Sequence, residues 1–235
     1  MSFLKDSISI FKKSELSYVE RYKESDGVYS FVFEKQNDLT WNAGQHGIFT
    51  IHHKKIKNAA RPFSVASSPT EGVVRITTKM GDQPSDFKKA LLELEKGMSI
   101  KMSGPVGSFY LKEKRPTLFI AGGIGITPFR AMIKQLEAEG VENGHQVRLL
   151  YLDSGQSFIY KDELDEIANN TSIDIAFLET RDDLYQEIDS FISSYNNNAA
   201  YFIAGSKSMV SSITNHLKSN TIQKQNIKKD AFMGY

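Results

Sequence analysis

Two glycine turns in the second half of the chain have the clearest chemical use. Thr117–Ala121, a strand-forming run, leads into Gly122-Gly-Ile-Gly125 and then Thr127-Pro128. Glycine lets a backbone come close to a ligand, and the free N–H groups and dipole of a helix start favour a pyrophosphate. Thr127 suits an N-cap and Pro128 the first helical turn, so the stretch reads as strand, glycine turn, helix. The candidate nucleotide contacts are Gly123, Ile124, Gly125, Thr127 and Pro128. The pattern is not the usual G-x-G-x-x-G, and a tight turn with no ligand also accounts for it. A second turn, Ala204-Gly205-Ser206, ends another strand, and Ser206 is placed to cap a helix carrying Met209, Val210, Ile213 and Leu217. In open parallel sheets ligands sit beyond the carboxyl ends of the strands, so the two turns should flank one crevice. Met209 is either a wall of that crevice or a core residue.

A parallel sheet is needed to bring these turns together, and the sequence supplies one. From Pro116 on, Thr117–Ala121, Val147–Tyr151, Ile173–Phe177 and Tyr201–Ala204 are each followed by an amphipathic stretch. Alternating strand and helix means parallel pairing. Phe129, Met132, Ile133 and Leu136 form one helical face; Leu184, Ile188, Phe191, Ile192 and Tyr195 form another. Residues from about Glu15 to Tyr110 read differently. Val28–Phe33, Ile48–Ile51 and Val73–Thr77 are short β-branched and aromatic runs between turn residues, as in an antiparallel sheet or barrel. One helix over 85–95 interrupts them, with Phe87, Ala90, Leu91 and Leu94 on one face and Gly97 as its stop. The fold class expected is two domains: an antiparallel β-barrel at 1–112 and an α/β parallel-sheet domain at 113–235.

Composition excludes several functions. The 235 residues hold 29 Lys plus Arg against 28 Asp plus Glu, so no global field favours nucleic acid or acidic lipid. There is no cysteine, which removes disulfides, thiolate zinc sites, cysteine nucleophiles and cysteine-ligated iron–sulfur clusters within these residues. His46, His52, His53, His145 and His216 lack metal-ligand spacing, and His52 and His53 should point to opposite faces of a strand, so no metal is expected. Met1–Lys13 has no sustained apolar run, and Thr117–Phe129 is too short and glycine-rich to span a bilayer. A cytoplasmic location with no transmembrane segment is expected.

Five elements, taken in order, resemble the ferredoxin–NADP reductase family. They are Ala43-Gly-Gln45, Arg61-Pro-Phe-Ser-Val-Ala-Ser67, Gly104–Phe109, Gly122–Pro128 and Gly205–Met209. The resemblance implies an FAD-binding barrel followed by a nicotinamide-binding domain, in an NAD(P)H-dependent flavoprotein reductase. It implies that Arg61 neutralises flavin phosphate, that Phe63, beside Pro62, stacks on the isoalloxazine, and that Ser64 hydrogen-bonds near flavin N5. Those residue types suit the roles, since a guanidinium grips phosphate and an aromatic ring covers a flat heterocycle. Phe63 departs from the Tyr usual there and lacks its hydroxyl. The helix at 85–95 should offer its N-terminus to the FAD pyrophosphate, with Gln83, Pro84 and Ser85 as contacts after Thr77, Thr78 and Lys79. A self-capped helix that binds nothing is the alternative. Phe232, in the tail Asp230–Tyr235, corresponds to a C-terminal aromatic that covers the flavin and moves aside for the nicotinamide; a frayed tail is the alternative.

The cofactors implied are FAD and either NADH or NADPH. NADPH-preferring members place Ser or Arg after the second parallel strand, whereas Asp153-Ser-Gly-Gln-Ser157 carries a carboxylate and no cation. Asp153 would repel a 2′-phosphate and, with Ser154, bind ribose hydroxyls, which tilts the reading toward NADH. Arg181 or Lys207 could still supply charge. Many relatives carry a [2Fe–2S] domain that these cysteine-free residues cannot hold, so an external electron acceptor is expected: a ferredoxin, a flavodoxin, an oxygenase component, free flavin or a ferric chelate. The alternative of another class is a non-catalytic nucleotide-binding regulatory module on the same fold.

Overall fold

The computed structural model describes residues 13–142 and 145–232. Contacts divide the chain into two compact units. One runs to Tyr110 and includes Arg130–Gln135; the other takes Leu111–Phe129 and the residues from Leu136 on.

In the first unit six strands form one antiparallel sheet: β1 (Lys13–Ser25), β2 (Val28–Glu34), β3 (His46–Thr50), β4 (Ala60–Ser64), β5 (Val73–Lys79) and β6 (Ser99–Val106). Their spatial order is β4-β3-β6-β1-β2-β5. The period-two pattern is cleanest in β6, where Ile100, Met102, Gly104 and Val106 are buried between more exposed neighbours. Just beyond the edge strand β4, the Ala66 N–H donates to the Arg75 carbonyl of β5, the other edge strand, at 2.8 Å. The sheet thus curls into a barrel. Pro62 sits midway along β4, where an edge tolerates a residue with no N–H. Helix α1 spans Asp86–Leu92 and packs Phe87, Ala90 and Leu91 into a core with Leu16, Phe31, Phe49 and Ile100. Truncating Leu91 to Ala would cost about 2–5 kcal/mol. The helix is shorter than its apolar spacing predicts, because its end tightens: the Leu94 N–H bonds the Leu91 carbonyl, three residues back, at 3.3 Å. Leu94 remains buried just past the end.

The second unit is a five-stranded parallel sheet of β7 (Thr117–Gly122), β8 (Val147–Leu152), β9 (Asp174–Leu178), β10 (Ala200–Ser206) and β11 (Ile227–Phe232), in the order β11-β10-β7-β8-β9. Helices α2 (Ile126–Glu139), α3 (Lys161–Asn170), α4 (Arg181–Tyr195) and α5 (Lys207–Ser219) alternate with the strands. The chain steps from β7 outward to β9, then returns through α4 to place β10 on the other side of β7. That reversal makes the carboxyl ends of β7 and β10 a topological switch point. The predicted two-part architecture is what the structure shows. β11 was not expected as a strand: Ile227–Phe232 is no frayed tail but pairs with β10, placing Phe232 opposite Ser206. Met233–Tyr235 lie outside the described residues.

Candidate functional site

The two glycine turns lie side by side. β7 and β10 are hydrogen-bonded neighbours, with Ala121 opposite Ala204. Gly125 packs so tightly that a Cβ there would fall 2.2 Å from the Ala204 carbonyl oxygen, and one on Gly122 would fall 2.1 Å from the sulfur of Met209. Gly125, which faces backbone, is required by packing, whereas at Gly122 the flexible Met209 side chain would have to move. Gly123 differs: its φ is +50°, and a Cβ would meet nothing within 4 Å. It is the residue of the turn over which a ligand has room. Gly123–Gly125 form a short 3₁₀ turn, and α2 starts at Ile126 with Gly125 as its cap. Thr127 is therefore inside the first turn rather than at the N-cap, and its hydroxyl donates to the Ile124 carbonyl at 3.1 Å. Pro128 follows in the same turn, where a missing N–H costs nothing. Side chains cap α1, α4 and α5, through Ser85, Thr180 and Ser206; α2 and α3 have no side-chain cap, and of these two α2 is the one that starts at the switch point. The α2 start is thus a place where an anion could meet backbone donors. Ser206 caps α5 as expected, accepting the Met209 N–H at 3.3 Å. Met209 is half-buried between the two turns, both a packing residue and a wall.

The loop after β8 is locally ordered. One Asp153 carboxylate oxygen accepts the Gly155 N–H at 2.9 Å, closing an Asx turn, and the Gln156 N–H returns to the Asp153 carbonyl. Burial, and then the Asp153 charge, push the Tyr151 hydroxyl well above its usual range. Ser154 is exposed. Lys161 is engaged elsewhere, paired with Asp165 and set over the Phe177 ring at 4.3 Å. Arg181 and Lys207 are exposed first residues of α4 and α5.

In the first unit, Arg61 and Phe63 alternate with Pro62 and Ser64, so the guanidinium and the ring share one face of β4. Phe63 is half-buried, stacked on Phe87 at 5.6 Å and edge-on to Phe49 at 6.0 Å. Arg61 reaches back to the Ala60 carbonyl, and Ser64 is buried opposite His46. Thr77 is committed internally: its hydroxyl lies 2.6 Å from that of Ser30. Thr78 is buried, with its hydroxyl turned toward the Lys79 carbonyl at 3.5 Å. Ahead of α1, Gln83 is exposed and Pro84 half-buried, while Ser85 accepts the Lys88 N–H at 3.5 Å and caps its own helix. The Lys88 ammonium donates to the Lys79 carbonyl at 2.7 Å, and burial lowers its pKa.

Three of the five family-like elements turn out to hold one another. The Gln45 amide donates to the Gly107 carbonyl at 2.9 Å, and the Gln45 carbonyl accepts the Val65 N–H at 3.0 Å. Gly44 leaves no room for a side chain, since a Cβ would lie 2.3 Å from the Phe109 carbonyl oxygen. Sequence reasoning placed Gln45 in a family-like element without giving it a role, and it missed Arg130. Arg130 falls on the apolar stripe with Ile126, Phe129 and Ile133, where a charge is out of place, and that mismatch was the available signal. His52 and His53 lie beyond the end of β3, not on a strand. Among the described residues no group of three or more His, Cys, Asp or Glu could hold a metal ion, and no helix is long and apolar enough to cross a membrane.

Residues 119–215 match the family described as Oxidoreductase NAD-binding domain. Over 94% of its length the chain is 26% identical to the toluate 1,2-dioxygenase electron transfer component of Pseudomonas putida, of which it spans 67%. It spans 28% to 58% of the flavohemoproteins it also matches. Among solved structures it resembles the ferredoxin–NADP+ reductase from Plasmodium falciparum with 2′P-AMP, with a TM-score of 0.77 over 95% of this chain and 98% of that one at 19% identity. It also resembles the FAD/NAD binding domain of nitric oxide dioxygenase from Vibrio cholerae O1 biovar El Tor, with a TM-score of 0.73 over 93% and 98% at 20% identity. The reductase class read from the motifs agrees with the names of the dioxygenase electron transfer component and the ferredoxin–NADP+ reductase among these proteins. The chain thus has the two-domain fold of the ferredoxin–NADP+ reductase it resembles, and residues 119–215 of its second half match the oxidoreductase NAD-binding domain.

Proposed function

We propose that the chain is an FAD-dependent reductase that takes a hydride from NADH, in preference to NADPH, and passes electrons to a separate acceptor. The observation that carries this reading is the pairing of two glycine turns at the switch point between β7 and β10, with open space above Gly123 and no side chain capping α2. Gly123, Ile124, Thr127, Pro128 and Gly205 would hold the nicotinamide nucleotide against the Met209 wall. Asp153 and Ser154 would meet its ribose, and the Asp153 charge disfavours a 2′-phosphate.

The residues of β4 fit a flavin. Arg61 and Phe63 share a face, so a phosphate and an aromatic ring system of one ligand can be met together. Ser64, Lys79, Gln83, Pro84 and Ser85 complete the proposed flavin contacts, and Phe232 covers the nicotinamide-facing side. When bound, FAD supplies hydride acceptance and stepwise electron release. The protein's part is to orient the two cofactors and exclude water. The division of labour is proposed to fall between residues 112 and 113, with the cytoplasm as the setting. The relatives named as electron transfer components of toluate and 2-halobenzoate dioxygenases support an oxygenase component as acceptor, with a small redox protein next.

The test is anaerobic. Purified protein offered FAD should show flavin absorbance near about 450 nm, bleach faster with NADH than with NADPH, and then be reoxidised by one member of an acceptor panel. No flavin uptake would sink the reductase reading in favour of a regulatory nucleotide-binding module, and equal bleaching would remove the NADH preference.

A further inference from the structure

Arg130 is the largest fully buried side chain among the described residues. Its guanidinium makes a two-pronged bond to Glu71, at 3.0 and 3.1 Å, and donates to the Ala66 carbonyl at 2.8 Å. Glu71 in turn accepts the Ser68 N–H at 2.6 Å. All of these residues belong to the first unit. Burying a guanidinium and a carboxylate is expensive, and an apolar pair of similar volume often stabilises a fold at least as well. Stability alone is therefore a weak reason for such a pair.

What the pair grips is a segment without regular structure. Val65–Ser68 follows Ser64 directly and is buried throughout. Its backbone is tied on every side: the Val65 N–H to Gln45, the Ala66 N–H to Arg75, the Ala66 carbonyl to Arg130, the Ser67 carbonyl to the Trp41 indole N–H, and the Ser68 N–H to Glu71. The Ser67 hydroxyl adds bonds to the Val73 carbonyl and the Arg75 N–H. A planar guanidinium can hold a carbonyl and a carboxylate at once in fixed directions, which a lysine ammonium does poorly.

We propose that the Arg130–Glu71 pair is a positioning device for the flavin-contacting end of β4, fixing the backbone two to four residues beyond Ser64 so that Arg61, Phe63 and Ser64 are set before the ligand arrives. This rests on the reading of those three residues as flavin contacts. Neither Arg130 nor Glu71 touches the ligand in this account; they act through Ala66 and Ser68. A site whose supporting groups are loosened by a fraction of an ångström loses affinity and rate even when the fold survives.

The test compares the full-length protein with the charge-neutral double variant Glu71→Gln/Arg130→Met and with Arg130→Lys. Thermal unfolding, FAD affinity by flavin fluorescence, and the rate of flavin bleaching by NADH at saturating FAD are measured on each. The double variant leaves no unpaired buried charge. It should unfold within a few degrees of the unaltered protein, yet bind FAD at least tenfold more weakly and bleach more slowly at saturation. Arg130→Lys, able to hold Ala66 or Glu71 but not both, should fold and fall between the two. If the double variant does not fold, Arg130→Lys decides alone. Unaltered FAD affinity and bleaching rate in whichever variants fold would overturn the positioning role. An unaltered protein that takes up no FAD would count instead against the reductase reading itself.

Discussion

The motif residues of the two sheets do different kinds of work. In the parallel sheet the glycine turns are local objects, each built from one strand end and the helix after it, and they meet because β7 and β10 are neighbours. In the antiparallel sheet the family-like residues are held by partners far away in sequence: Gln45 by Gly107, Thr77 by Ser30, the end of β4 by Arg130. A glycine turn can be found from its own residues. A residue whose meaning lies in a distant partner cannot.

The sharpest break of this contrast is within one turn. Gly125→Ala drives a methyl into the Ala204 carbonyl and should destabilise the protein by about 3 kcal/mol, the upper end of overpacking costs. Gly123→Ala, with open space but a positive φ, should cost only about 1 kcal/mol while weakening nucleotide binding. Thermal unfolding paired with NADH titration separates the two, and equal behaviour would erase the division between packing and ligand-facing glycines. In the other sheet, Gln45→Met keeps the volume but orphans the Gly107 carbonyl, and should cost about 2 kcal/mol and loosen flavin binding. Stability like that of the unaltered protein would show that the three elements do not depend on one another.

Asp153→Asn preserves the oxygen that closes the turn on Gly155 and removes the charge. The preference for NADH over NADPH should fall several-fold, about 1 kcal/mol, in steady-state kcat/KM ratios. The smallest effect concerns His145. Burial first, and the nearby Lys114 second, lower its pKa against a smaller opposing pull from Glu142. The unfolded chain therefore binds the proton more readily, and stability should decline as pH falls below about 6.5, the unperturbed histidine value. His145→Gln should flatten that part of a chemical-denaturation pH series.

How much was legible follows from the same contrast. The alternation of strand and helix after Pro116 and the short apolar runs before it carried the architecture, because hydrophobic period is a local property. β11 escaped because it is an edge strand with exposed Lys229 and Ala231, and a polar edge lacks the continuous apolar run of β7 or β10. Thr127 lies inside the helix, after the observed N-cap Gly125, because a 3₁₀ turn rather than a capping side chain leads into α2. Gln45 stands in a family-like element and Arg130 is out of place on an apolar face, but their partners, 62 and 59 positions away, appear only when the sheet is assembled.

Pro62 has one more consequence. β4 is the outer strand of its sheet along Ala60–Ser64, and an exposed strand edge is a template on which another chain can add. A proline at the midpoint withholds a donor from any incoming strand, and Arg61 beside it adds a charge that such stacking would have to bury. The stretch proposed to grip the flavin is therefore also protected against edge-to-edge aggregation before the ligand is in place.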